Sequence, residues 1–251
     1  MQRFITKDLI KWKNAKDRKP LLLQGIRQCG KTWLLKEFGK NEYDDVAYFN
    51  FEGNSSLPQR FQVDLDIKRI LNELGILHGK PILPEKTLLI FDEIQFCSQA
   101  LTSLKYFYEN MPGYHIACAS SLLGVALARP LSFPVGKVDL LTMRPLNYSE
   151  FLVVQGESDL YNHLQNLSRD DTVSELFTSK MEEYLRYFYI VGGMPEVVQN
   201  WIENKDVLQV EKIQQTILNE FVLDFAKHAP NKDFPRLTAI WNSIPTQLAR
   251  E

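Results

Sequence analysis

Apolar residues fall into short continuous runs in the first part of this chain and into helical spacing after about Asn147. The runs Leu21–Gln24, Val46–Glu52, Thr87–Asp92, His115–Ala119 and Val138–Met143 predict five strands. Runs with little polar alternation belong to strands covered on both faces, as in a parallel sheet. Between them, apolar positions recur every three or four residues, notably over Leu65–Leu77 and over Gln99–Asn110, the latter with Ser98 as N-cap. This alternation predicts an α/β fold, a three-layer parallel sheet with helices on both faces. Right-handed crossovers then set the strand C-termini along one edge. Beyond Asn147 the segments Glu150–Val154, Ser179–Val191, Pro195–Glu203 and Val207–His228 have helical spacing. Ala229-Pro230-Asn231 breaks the pattern before a last helix-like piece, Pro235–Glu251.

The first strand leads into Gly25-Ile26-Arg27-Gln28-Cys29-Gly30-Lys31-Thr32, which is G-x-x-x-x-G-K-[ST], the phosphate-binding loop of the P-loop NTPases. Glycines let backbone N–H groups curl around an anion, and a following helix N-terminus favours phosphate. Lys31 is placed to reach the β- and γ-phosphates and the Thr32 hydroxyl to ligate Mg²⁺, with Trp33 next in line. A chance glycine turn is the alternative. The strand before the loop and the apolar spacing from Thr32 to Phe38 after it argue for the motif.

Thr87-Leu88-Leu89-Ile90-Phe91-Asp92-Glu93 is a strand ending in two carboxylates. Asp92 stands where a Mg²⁺-linked carboxylate belongs, and Glu93 where a general base can polarise water. The fourth strand runs into Ser120-Ser121, read either as a γ-phosphate sensor, with Ser121 ahead of Ser120, or as a turn capping a helix from Leu122. Gln95 is open between orienting water and a solvated turn. Lys137 and Arg144 are open between serving a neighbouring copy's γ-phosphate and ordinary ion pairs. Gly192-Gly193-Met194-Pro195-Glu196 ends one helix and starts another, and is a hinge if it covers a nucleotide.

Other features narrow the class. Asn204-Lys205-Asp206-Val207 and Asn231-Lys232-Asp233-Phe234 both miss the Asn-Lys-x-Asp guanine signature, which favours ATP over GTP. A net charge of −2 supplies no global field for nucleic acid. Lys7, Lys11, Lys13, Lys16, Arg18 and Lys19 do cluster near the start, as a nucleic-acid patch or a solvated helix face. Three widely spaced cysteines, Cys29, Cys97 and Cys118, fit a reducing cytoplasm better than a disulfide framework. No apolar run is long enough to span a membrane.

The chain resembles the bacterial and archaeal AAA-type ATPases that carry a C-terminal domain of uncharacterised function. The resemblance rests on Arg3, Leu9 and Trp12, the phosphate loop, Phe91-Asp92-Glu93-Ile94-Gln95 and Ser103-Leu104-Lys105-Tyr106-Phe107. Ser121-Leu122-Leu123-Gly124-Val125, Ser132-Phe133-Pro134-Val135-Gly136-Lys137 and Gly193-Met194-Pro195-Glu196 complete it. It implies an ATPase core over 1–146, a helical lid over 147–228 and, at 229–251, the start of a C-terminal domain cut short. It also implies Thr32 and Asp92 at Mg²⁺, Glu93 as water activator and Ser121 as sensor. Ser120 departs from the family, which usually has Gly there, and places a side chain beside the sensor. Expected partners are ATP, further copies of the chain, and an unidentified protein or nucleic-acid client. Two functions remain open: an ATP-hydrolysing machine, or a switch that binds ATP and turns over slowly.

Overall fold

The structure is a computed structural model that describes residues 1–53, 56–121, 134, 136–168, 172–228 and 233–248. It divides into two compact units, Met1–Arg169 and Asp170–Glu251. The first is built on strands β1 (Leu21–Gly25), β2 (Asp45–Asn50), β3 (Thr87–Asp92), β4 (His115–Ser121) and β5 (Asp139–Met143). They form one sheet in the order β2-β3-β4-β1-β5. Every pairing is parallel.

The burial of each strand follows from its place in that order. The inner strands β3 and β4 are buried along their whole length, and β1 at all but Gln24. On the edge strand β2 buried Ala47 and Phe49 alternate with half-buried positions, and on β5 half-buried and exposed positions alternate up to buried Met143. The helices described in this unit are α1 (Thr6–Lys13), α2 (Lys31–Glu42), α3 (Ser56–Gln62), α4 (Ile67–His78), α5 (Ser98–Asn110), α6 (Tyr148–Val154) and α7 (Ser158–Asn166). A single 3₁₀ turn covers Ile94–Phe96.

Because strand side chains alternate in direction, the sheet feeds two cores. Leu22, Leu89 and Phe91 enter one, with residues of α3, α4 and α5; Leu21, Leu23, Leu88 and Ile90 enter the other, with α1 and α2. Phe91 lies at the centre of the first. Its ring meets those of Phe49, Phe51, Phe61 and Phe107 at centroid distances of 6.2, 5.6, 5.9 and 6.4 Å, in edge-to-face arrangements. That packing fixes the end of β3, and so the two carboxylates that follow.

Helices α6 and α7, grouped with the lid in the sequence reading, belong to the first unit. The reason is a buried ion pair between Arg3 and Glu150, 3.0 Å apart, with both side chains about 95% covered (4% and 6% exposed). Phe151 and Leu152 are fully buried beside it. The Phe4 and Tyr161 rings pack at 5.2 Å. Asn147 and Glu150 cap α6 reciprocally.

The second unit is helical: α8 (Glu175–Val191), α9 (Pro195–Asn204), α10 (Val207–His228) and α11 (Phe234–Leu248). Gln214 on α10 donates to the carbonyls of Ile190 and Val191 at the end of α8, at 2.8 and 3.1 Å. Trp201 packs against Tyr187, and Trp241 against Phe221 and Phe225. Gly192, at φ +69°, ends α8, and Pro195 takes the first position of α9. Among the described residues no helix is long and apolar enough to cross a membrane.

Candidate nucleotide-binding site

The loop Gly25–Thr32 connects β1 to α2. Its first glycine is obligatory for a steric reason: a Cβ there would stand 2.3 Å from the Met143 carbonyl oxygen and 3.1 Å from Cys29 Sγ. Gln28 and Gly30 both have left-handed backbone, at φ +63° and +93°. Alternating right- and left-handed residues curl successive N–H groups toward one side, the geometry of an anion nest. Gly30 is the N-cap of α2 and brings no capping side chain. The first N–H groups of a helix have no partner within it, so those of Lys31, Thr32 and Trp33 and the helix dipole are offered to an anion.

Lys31 is buried and its Nζ donates to the carbonyls of Gly25 and Ile26, at 2.9 and 2.8 Å. A buried ammonium needs partners, and here the loop itself supplies them. A phosphate in the loop offers charged acceptors in place of two neutral carbonyls. Cys29 is buried, its thiol pushed up by burial, which outweighs the opposing charges of Lys31 and Arg3. Ile26 and Arg27 are half-buried and Gln28 exposed. Trp33 is 45% exposed and lines, with Phe4, Phe38 and Tyr161, a cavity of about 580 Å³.

The β3 carboxylates meet this loop. Thr32 Oγ1 donates to Asp92 Oδ2 at 2.9 Å across 60 positions of sequence. The same Oδ2 accepts the Tyr48 hydroxyl at 2.7 Å, and Oδ1 accepts the backbone N–H of Glu93 at 3.2 Å. One hydroxyl and one carboxylate side by side fit Mg²⁺, which keeps several waters and is held by one or two protein oxygens with substrate phosphates. Among the described residues no cluster of three or more His, Cys, Asp or Glu is arranged to cage a metal. Glu93 has left-handed backbone, at φ +52°, which turns the chain out of the strand.

The strand order brings the tip of β4 between these two motifs. Ser120 pairs with Gln24 and Ser121 with Gly25, so both serines belong to the strand and both are buried, rather than forming a turn. The structure distinguishes Ser120: its Oγ donates to Gln95 Oε1 at 2.7 Å, and Gln95 Nε2 donates to Glu93 Oε2. Ser120, Gln95 and Glu93 thus form one relay from the β4 tip to the expected base. Tyr48, which the sequence reading did not single out, completes the setting of Asp92.

Lys137 pairs with Glu109 at 2.9 Å, the ordinary ion-pair role. Arg144 is exposed, and its carbonyl accepts from Arg3 Nη2 at 2.6 Å. In the basic N-terminal segment, Lys11 pairs with Asp8 and Lys13 with Glu42, each at 3.0 Å, and Arg18 donates to the Lys13 and Pro112 carbonyls. The segments 122–133 and 229–232 lie outside the described residues, as does Val135.

The geometry defines a P-loop nucleotide-binding protein: a parallel sheet with the phosphate loop after β1, a strand between it and the acidic strand, and a hydroxyl–carboxylate pair joining the two. Residues 17–152 match the model of the AAA domain, and the chain belongs to that family. Residues 182–251 match a domain of unknown function (DUF8612). An uncharacterized protein of the archaeon Methanocaldococcus jannaschii, MJ1637, is 25% identical over 249 residues. The match covers 90% of this chain, which spans about half (49%) of that relative. Remote structural likeness extends to the Drosophila origin recognition complex bound to DNA, at 13% identity, TM-score 0.47, and 98% and 67% of the two chains. AMPPCP-bound DnaA from Aquifex aeolicus is similar at 15% identity, TM-score 0.41, and 90% and 67% of the chains.

Proposed function

We propose that this protein binds ATP with Mg²⁺ and hydrolyses it to ADP and phosphate, using the energy to change conformation. The observation that carries the reading is the Thr32–Asp92 contact of 2.9 Å beside a phosphate loop with a buried lysine. The loop N–H groups and Lys31 bind the phosphates. Thr32 and Asp92 would hold Mg²⁺, which would supply charge neutralisation as the γ-phosphoryl group passes from ADP to water. Glu93 orients a water for in-line attack and takes its proton. Ser121, next to Gly25 across the β1–β4 pairing, is assigned as γ-phosphate sensor. A second copy of the chain is the proposed source of any further basic group at the site.

One observation favours the slower alternative, a nucleotide-dependent switch. The Glu93 carboxylate is engaged by Gln95, a contact that must open before that oxygen can meet a water. The test is ATP binding and phosphate release over a range of protein concentrations. Release per chain that rises with concentration marks a site completed between copies. Tight binding with negligible, concentration-independent release marks the switch. Lys31→Ala is expected to weaken binding about tenfold to a hundredfold, the worth of charged hydrogen bonds to phosphate. Unchanged binding in that variant overturns the site assignment.

A further inference from the structure

Tyr48 lies on the edge strand β2, paired in register with Ile90, while Asn50 stands opposite Asp92. Tyr48 and Asp92 are therefore diagonal neighbours, on adjacent strands and two residues out of register. At that spacing a short side chain falls short and a tyrosine reaches. The hydroxyl donates to Asp92 Oδ2 at 2.7 Å, and Thr32 donates to the same oxygen at 2.9 Å. Two hydroxyls from opposite sides, one from the edge strand and one from the phosphate-loop helix, converge on one atom.

The ring is itself held. Lys36 Nζ, on α2 and four residues beyond Thr32, stands 3.5 Å from its centroid, a cation–π contact. A carboxylate on a single-bond stem rotates freely unless its oxygens are tied. Partners that orient a metal-linked carboxylate typically alter metal affinity by about tenfold to a hundredfold when removed.

We propose that Tyr48 is a positioning residue for the divalent cation: its hydroxyl fixes Asp92 in the orientation in which Asp92 and Thr32 would together hold Mg²⁺. Tyr48 touches neither nucleotide nor cation; it acts through Asp92. The proposal deepens the ATP–Mg²⁺ reading above and rests on it. Its consequence is selective. Tyr48 contributes to the gain in nucleotide affinity that Mg²⁺ brings, and not to the affinity of metal-free nucleotide, which the loop and Lys31 set.

The experiment is equilibrium binding of a fluorescent ATP analogue to the full chain, in EDTA and across a Mg²⁺ titration. The wild type, Tyr48→Phe, Asp92→Asn and the double variant are compared. Tyr48→Phe is expected to bind the analogue in EDTA as the wild type does, which also shows that it is folded. Its Mg²⁺ midpoint is expected to rise about tenfold. In the Asp92→Asn background the same change is expected to leave the midpoint where it was. An unchanged midpoint in Tyr48→Phe overturns the proposal, as does an equal loss of affinity with and without Mg²⁺, which marks a role in the loop alone. Absence of nucleotide binding by the wild type overturns the ATP reading itself, and is distinguishable from both.

Discussion

Removing Arg3 is expected to cost the first unit about 4 kcal/mol, within the range for breaking one side of a buried ion pair. The guanidinium is 4% exposed as a side chain and binds Glu150 through Nε at 3.0 Å and Nη2 at 3.4 Å. It also donates to the carbonyls of Cys29 at 3.3 Å and Arg144 at 2.6 Å. In Arg3→Met the Glu150 carboxylate keeps the N–H groups of Phe4 and Asn147 but loses its cationic partner. A buried charge left so costs far more than an exposed one. Two orphaned carbonyls add to the loss, and these contributions are not additive. At 1.36 kcal/mol per decade, about 4 kcal/mol corresponds to roughly a thousandfold faster exchange of amides that open only with global unfolding. The assay is hydrogen exchange by mass spectrometry on peptides from β1 and β4, which reports the first unit alone. Because the Glu150 side chain is the partner, Arg3→Met and Glu150→Met combined should cost less than the sum of the two. Acceleration below about tenfold in Arg3→Met, or strict additivity in the double variant, would refute the reasoning.

Gly25 and His115 give two further outcomes. Gly25→Ala puts a Cβ 2.3 Å from the Met143 carbonyl oxygen, a backbone atom that cannot swing aside. It is expected to destabilise by about 1–3 kcal/mol and to abolish ATP binding, read by chemical denaturation and by the fluorescent analogue; full binding would contradict the loop geometry. His115 is pushed down to about 4, from 6.5, by burial first and then by Arg18 and Lys13. The unfolded chain therefore binds the extra proton between those values, so this contribution is present above about pH 6.5 and is lost as pH falls toward 4. The stability advantage of wild type over His115→Asn should shrink between pH 7 and pH 5, and an advantage equal at both pH values would rule the histidine out.

The inner sheet was legible because its strands are buried on both faces, so the run Thr87–Asp92 is apolar up to its terminal acid. Edge strands were shifted: β2 spans Asp45–Asn50 rather than 46–52, since its alternation gives no sharp end. Helix α7 escaped notice because its N-cap, Glu157, supplies no capping side chain. At α5 the cap is Cys97, whose thiol accepts from the Ala100 N–H, and Ser98 is already helical. A hydroxyl is the usual signal there, and the thiol beside it was overlooked.

The loop between β1 and α2 and the acids that end β3 could be placed in the fold from the sequence, because a glycine loop after an apolar run is a local signal. Tyr48 could not, since its partner lies 44 positions away and their meeting depends on sheet register. Arg3 and Glu150 meet across 147 positions. Ser120 and Gln95 show the same limit. Both were noted singly, but only strand order brings the β4 tip to the turn after β3.

The most direct test of the central claim is single-turnover phosphate release from ATP by wild type and by Glu93→Gln, with ATP affinity measured in parallel. The account predicts that the variant binds ATP as the wild type does and releases phosphate about a hundredfold more slowly or worse, the usual worth of a general base. Equal rates of release from the two proteins would contradict it.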